Sequence, residues 1–444
     1  MQKAQRVLIV LLVILTCALA ATGGWILYDV NVDRSGFVLT EGVYYYQDFH
    51  AQLVTGWQEI NGHRYYFGED FAMATNWQEI DGNRYYFSAD GTLDTGWRRV
   101  DGEVYYLGTD GIVVYGWQEI DGNRHHFDTD GTMDIGWTQL DGIQYHFGNQ
   151  GIMTTGFLAE EEDTYYFNSD GAMHTGYLEL GEDTYHFNDN GTMHTGWLDD
   201  GENRLYFSES GPMHTGWLEM DEGKYYFDEA GFMYTGWLEL GEYRYYLQDD
   251  GTAAVSPTTI DGTTYYFSPA GIHVVLVNRW HKVPDYYKVD LVKVAGWHQV
   301  DSSCLESLEK MLADCKAAGN NYEFNSGYRS YATQVAILDQ RTQEHMAEFN
   351  LDYNAARSKA LQSVAVPGTS EHHLGLAVDI VGKAAQDWLA VHCWDYGFIL
   401  RYTAEKAAIT GIIDEPWHFR YVGTEISLDM KDSGLCLEEY LGAA

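Results

Sequence analysis

The sequence predicts a solenoid of stacked β-hairpins followed by a separate domain that mixes strands and helices. Three observations predict it. Gly-Trp or a close variant returns every twenty residues from Gly56-Trp57 to Gly236-Trp237. An aromatic landmark of the type Tyr65-Tyr66-Phe67 keeps the same period, through Tyr85-Tyr86-Phe87 to Tyr265-Tyr266-Phe267. After Gly271 the period is lost and the pattern turns irregular. A chain of 444 residues also exceeds one compact unit at ~150 residues per domain.

The first element is residues 1–35. Lys3 and Arg6 precede an apolar run from Val7 to Ala21, the form of an export signal. Apolar character resumes through Trp25-Ile26-Leu27-Tyr28, and Val7 to Tyr28 is long enough for a bilayer at ~20 residues. An uncleaved membrane anchor is therefore expected over cleavage at Ala18-Leu19-Ala20. Either way, the bulk of the protein is expected outside the cytoplasm.

The second element is residues 36–272. Each unit reads as a hairpin: Trp77 to Ile80, an Asp81-Gly82 turn, then Arg84 to Phe87. Asp-Gly suits a type I′ turn, where both central residues need positive φ. One hairpin cannot bury its own aromatics, so neighbours must stack. The region holds 41 acidic and 8 basic residues, against 23 and 15 in residues 273–444. Such acidity, within a net charge of −40, excludes nucleic acid as a partner, because phosphate binding needs a basic surface. His174, His194 and His214 also repeat; a duplicated, solvated position explains them better than a metal ladder.

These units resemble the cell-wall-binding repeats of choline-binding proteins, glucan-binding domains and clostridial toxins. The resemblance makes Trp57, Trp77, Trp97, Trp117, Trp137, Trp197, Trp217 and Trp237 candidate ligand-binding aromatics. In choline-binding members another Trp precedes the Tyr-Tyr pair and completes a cage. Here that position holds Arg64, Arg84, Val104, Arg124, Gln144, Thr164, Arg204, Lys224 and Arg244. A wall glycan or teichoic polymer is thus expected over choline, and a plain spacer remains an alternative.

The third element is residues 273–444. Val274 to Asn278 reads as a strand, Ser303 to Ala318 as a helix, and Tyr331 to Phe349 as an amphipathic stretch. Cys304, Cys315, Cys393 and Cys436 permit two disulfides in an exported domain. Cys304 and Cys315 cannot pair if one helix carries both, since eleven residues of helix span ~16 Å. The chemistry concentrates in Ser370-Glu371-His372-His373-Leu374-Gly375-Leu376-Ala377-Val378-Asp379 and Glu415-Pro416-Trp417-His418. His372, Asp379 and His418 suit a zinc ion with one position left open, and Glu415 lies close enough to His418 to handle a proton. Asp379 is expected on a strand, with His372 in the turn before it.

Residues 273–444 are similar to the VanY-type zinc D-alanyl-D-alanine carboxypeptidases. Ser370, His372, Gly375, Ala377 and Asp379 meet the family's first pattern and Glu415 to His418 its second. Tyr328-Arg329-Ser330 with Gln334, and Tyr396-Gly397-Phe398-Ile399, match further blocks. The resemblance implies an α+β fold with a small antiparallel sheet and one Zn²⁺ on His372, Asp379 and His418. It also implies Glu415 as general base and acid, and Arg329 facing the oxyanion or a substrate carboxyl. Ser370 and Gln334 are implied in binding the terminal carboxylate. His373 is expected to be structural, and Trp417 to pack beneath the metal. The expected protein is a wall-associated enzyme that removes the C-terminal D-alanine from peptidoglycan stem peptides. An L,D-carboxypeptidase, a D,D-dipeptidase and a glycan-binding adhesin remain alternatives.

Overall fold

The computed structural model describes residues 35–201 and 203–444. The expected signal or anchor lies outside the described residues. None of the described helices is long and apolar enough to cross a membrane.

Eleven consecutive two-stranded antiparallel hairpins run from Gly36–Thr40 paired with Val43–Gln47 to Gly236–Leu240 paired with Tyr243–Leu247. In the hairpin Asn76–Ile80 and Asn83–Phe87, Asp81 and Gly82 have φ of 52° and 78°, as a type I′ turn requires. The register sets Trp77 opposite Tyr86 and Asn76 opposite Phe87. The last residue of the second strand forms the core in all but the first hairpin: Phe67, Phe87, Phe127, Phe147, Phe167, Phe187, Phe207 and Phe227, with Leu107 and Leu247 in the same place, are at most 1% exposed. Backbone bonds join successive units, as where Leu93 N–H donates to the Arg64 carbonyl at 2.8 Å. The connector glycine is a steric requirement. A Cβ on Gly91 would sit 2.2 Å from Met73 Sδ, on a backbone with φ of 82°.

The chain divides into two compact units, through Thr195 and from Gly196. The boundary expected at 272/273 thus falls inside the second unit. There, Leu238, Tyr245 and Leu247 of the repeats share one core with Ile399, Val422, Ile426, Met430 and Leu437. Tyr421 Oη also donates to Glu242 at 2.8 Å.

The remainder is α+β. A four-stranded antiparallel sheet takes the spatial order Glu323–Ser326, Ala377–Val381, His418–Tyr421, Phe398–Leu400. Helices Leu305–Ala317 and Lys383–His392 supply Leu308, Met311, Leu312, Ala385 and Leu389 to its apolar core. Helix Tyr331–Phe349 begins on Ser330, whose side chain accepts from Thr333 N–H.

Two expectations need correction. The strand read at Val274–Asn278 covers only His273–Val274, paired with Phe267 and Tyr266; beyond it the Val275 carbonyl accepts from Arg420 Nη2 at 2.9 Å instead. The two permitted disulfides do not form: all four cysteines are buried free thiols. Cys304 and Cys315 lie before and within one helix as anticipated, and Cys304 donates to backbone carbonyls of Asp301 and Gly375.

Candidate active site

Antiparallel pairing places Asp379 directly opposite His418 on adjacent strands. His372 reaches the same point from the short 3-10 turn Glu371–Leu374. Gly375 ends that turn at φ of 71°, and a Cβ there would meet Asp301 N at 2.8 Å, so only glycine lets the chain enter the strand. The ligand atoms of His372, Asp379 and His418 lie within 4.8 Å of one another, and all three residues are buried.

Hydrogen bonds select which ring nitrogens face inward. His372 Nδ1 donates to the Gly327 carbonyl at 2.8 Å, which leaves Nε2 3.4 Å from Asp379 Oδ2. His418 is turned the other way. Its Nδ1 lies 3.3 Å from Asp379 Oδ1 and 3.6 Å from Glu415 Oε2, while its Nε2 faces Glu371 Oε2 at 3.4 Å. His372 Nε2 and Asp379 Oδ1 are buried without a hydrogen-bond partner. Two imidazoles and a carboxylate, with His372 Nε2 and Asp379 Oδ1 left unsatisfied, are the donor set a zinc ion takes.

The electrostatics derive from burial and crowding. Burial pushes the Glu415 carboxyl up to about 7, although His418 opposes it. Burial, with Arg329 beside it, lowers His372 to about 4, so the ring stays neutral and able to ligate. Against burial, Asp379 and Glu371 hold His418 up, at about 9. His372 first and then His418, again against burial, hold Asp379 well below the usual carboxylate range. Each of these values belongs to a centre without a cation.

A cavity of about 670 Å³ opens over this centre, and Arg329, Gln334, Ser370, Glu415 and Trp417 line it. Arg329 forms an ion pair with Asp379 and donates from Nε to Ser326 at 2.8 Å. Gln334 is anchored through Nε2 to the Ala365 carbonyl, with its Oε1 unpartnered. Trp417, one residue before the strand His418–Tyr421, is half-buried and lines the cavity wall. His373 is structural: Nδ1 donates to the Arg329 carbonyl at 2.7 Å and Nε2 accepts from Gly368 N–H at 3.1 Å.

Sequence reasoning missed the layer behind the centre. Glu371, fully buried, accepts from Arg401 Nε at 2.9 Å and Arg420 at 3.1 Å and backs His418. Arg401 also binds Glu438 through two nitrogens, at 2.9 and 2.6 Å. Tyr402 packs its ring 4.8 Å from that of His418. The available signal was two arginines set among the apolar residues of Phe398-Ile399-Leu400-Arg401 and His418-Phe419-Arg420, where an unpaired charge is not tolerated.

In the repeats, the eight candidate tryptophans share one register position. Six carry the chain's own cation over the ring: Arg64, Arg84, Arg124, Arg204, Lys224 and Arg244, at 3.8 to 4.6 Å from the ring centroid. Trp97 and Trp137 have none and are 42% and 40% exposed. The repeating histidines make local bonds, His174 to Asn168 and the Tyr177 carbonyl, and His214 to the Trp217 carbonyl.

Comparison with known proteins matches residues 297–424 to the VanY family, described as D-alanyl-D-alanine carboxypeptidase. Residues 54–93, 74–114 and 94–135 match a "Choline-binding repeat" and residues 155–173 and 175–193 a "Putative cell wall binding repeat". A D-alanyl-D-alanine carboxypeptidase of Enterococcus faecalis is 40% identical over 38% of this chain and 65% of its own length. The "Putative carboxypeptidase YodJ" of Bacillus subtilis is 32% identical over 41% of this chain and 71% of its own. The chain thus spans about two thirds of the length of these relatives. Among solved structures, a zinc complex of a variant of the vancomycin-resistance D,D-pentapeptidase VanY is 39% identical, with TM-score 0.37, over 38% of this chain and 97% of that one. CbpJ from Streptococcus pneumoniae is 28% identical, with TM-score 0.41, over 54% and 100%.

Proposed function

The chain belongs, through its C-terminal domain, to the VanY family of D-alanyl-D-alanine carboxypeptidases, and from that premise we propose that it hydrolyses the last peptide bond of peptidoglycan stem peptides and releases D-alanine. The observation that carries this reading is the convergence of His372, Asp379 and His418, with the Glu415 carboxylate 3.6 Å from His418.

In this reading His372 through Nε2, His418 through Nδ1 and the Asp379 carboxylate would hold one zinc ion. When bound, zinc supplies Lewis acidity that acidifies water and polarises the scissile carbonyl. The chain's own residues do the rest. Glu415 takes the proton of the attacking water and returns it to the departing amine, the work of a general base and acid. Arg329, at the cavity wall, receives the negative charge of the terminal carboxylate or of the developing oxyanion. Ser370 and Gln334 complete the carboxylate's pocket, and Gln334 offers it an N–H only by turning Nε2 away from the Ala365 carbonyl. Glu371 keeps His418 Nε2 protonated, so that Nδ1 offers its lone pair.

The labour divides by region: residues 36–272 bind the wall, and residues 273–444 carry the chemistry outside the cytoplasm. The test incubates the full-length protein and zinc with stem peptides, with mass spectrometry of the products. Loss of one D-alanine from a pentapeptide ending in D-Ala-D-Ala is expected. Release only from a tetrapeptide indicates L,D-specificity, loss of D-Ala-D-Ala as a unit indicates a dipeptidase, and no release overturns the reading.

A further inference from the structure

The cavity over the candidate metal centre extends well past it. One face of helix Tyr331–Phe349 lines it at Gln334, Ile337, Arg341 and His345, each three or four residues apart and so one above the other. Eleven residues of helix separate Gln334 from His345, a run of ~16 Å. A terminal D-alanine and the residue before it take up only ~7 Å of extended chain. The far arm of the cavity is left to meet another part of the substrate.

Phe349 gathers that arm together. His345 packs edge-on to its ring with centroids 5.5 Å apart, and Lys359, from helix Tyr353–Ala360, holds its ammonium 4.4 Å from the same centroid. Among the described residues no carboxylate pairs with Lys359. In a chain of net charge −40, the lysine is not left single for want of carboxylates. Arg341 and Glu344 also line the arm, but they pair with each other at 3.0 Å, and Gln340 donates to the same Glu344 carboxylate at 2.9 Å. Their charges cancel, and the charge of Lys359 does not. His345 is 9% exposed, and its Nδ1 is buried without a hydrogen-bond partner. A buried polar atom is ordinarily satisfied, and this one lies on the cavity wall.

We propose that the far arm is a carboxylate subsite of the peptidase, in which Lys359 and an N–H of His345 hold an acid group of the substrate remote from the bond being cut. The inference rests on the peptidase reading above. A stem peptide supplies such a group, because its glutamate is joined through the side chain and keeps its α-carboxylate free. Three residues of extended chain reach ~10 Å, and the methylenes of the side-chain link carry the carboxylate further. An acceptor strand crosslinked to the scissile D-alanine brings the same group to the arm from the other side of the bond.

Steady-state kinetics of the full-length protein with zinc, on pairs of peptides that differ only at this group, test the proposal. The pentapeptide with a free glutamate α-carboxylate is expected to exceed its α-amide at least tenfold in kcat/KM, chiefly through KM, the worth of about one charge-assisted hydrogen bond. Added salt should shrink the ratio. Lys359→Met keeps the apolar stem over Phe349 and is expected to bring acid and amide level, whereas Lys359→Arg should retain the preference. A merely structural lysine would lower both peptides alike. A preference confined to a crosslinked dimer, acid against amide on the acceptor strand, assigns the carboxylate to that strand. Equal rates in both pairs, or a preference that survives Lys359→Met, overturn the proposal and leave the peptidase reading intact. Hydrolysis of no peptide at all overturns that reading and the proposal with it.

Discussion

Glu415 and His418 are three residues apart and share one buried corner, yet their roles separate cleanly by substitution. Glu415→Gln preserves size and the position near His418 but removes the proton acceptor. Turnover of a soluble pentapeptide is expected to fall about 10²- to 10⁴-fold, with bound zinc and KM little changed. His418→Ala and His372→Ala are expected to lose zinc as well as activity, read by metal analysis after gel filtration; stoichiometric zinc in either removes that residue from the ligand set. His373→Ala is expected to keep zinc and to raise KM instead, because His373 holds the Arg329 carbonyl at 2.7 Å. The motif register alone separated His372 from its neighbour. Only the structure gives the physical reason, which is that both nitrogens of His373 are already used by the backbone.

Elements place these residues because a turn and two strands meet behind a buried ion network. Burial alone would raise the carboxyls of Glu371 and Glu438, but Arg401 and, for Glu371, Arg420 hold both below their ordinary values. A carboxylate with a lowered folded pKa contributes stability above its unfolded value, ~4.3, and loses it as pH falls through the folded one. The melting temperature is therefore expected to decline progressively below about pH 4. Arg401→Met leaves buried carboxylates short of a partner and should cost about 3–5 kcal/mol near neutrality. In that variant the remaining carboxyls favour protonation, so mild acid should narrow the gap to wild type; a gap that widens on acidification contradicts this account. In the solenoid, Phe127→Ala should cost about 3–5 kcal/mol, measured by denaturant unfolding. The twenty-residue period made the hairpins, their turns and the buried Phe legible, since stacking leaves one inward face per unit. The short strand at His273–Val274 was not legible because the Val275 carbonyl is taken by Arg420, far along the chain, and the free cysteines because thiol pairing depends on partners distant in sequence. The Glu371 network was hidden for the same reason: its arginines lie 30 and 49 residues away.

At the scale of the whole chain, the repeat array and the peptidase fold are not joined end to end at residue 272. Leu238, Tyr245 and Leu247 are buried in the same core as Ile426, Met430 and Leu437. A fragment of residues 273–444 is thus expected to unfold at lower denaturant than residues 196–444, and equal midpoints would make the shared core irrelevant to stability. Removing residues 36–195 should leave turnover on a soluble peptide unchanged while lowering it on intact walls, through effective concentration; equal wall hydrolysis would reduce those repeats to a spacer. If the chain works at a cell surface as proposed, the shared core also governs its fate when it is clipped there. A protease acts where backbone opens most readily, and residues 237–276 are held by the catalytic fold itself. Cuts upstream of Gly196 are the ones that should release a stable product, and that product keeps its last repeats. The freed enzyme would diffuse away still carrying part of its address, able to settle on a neighbouring cell.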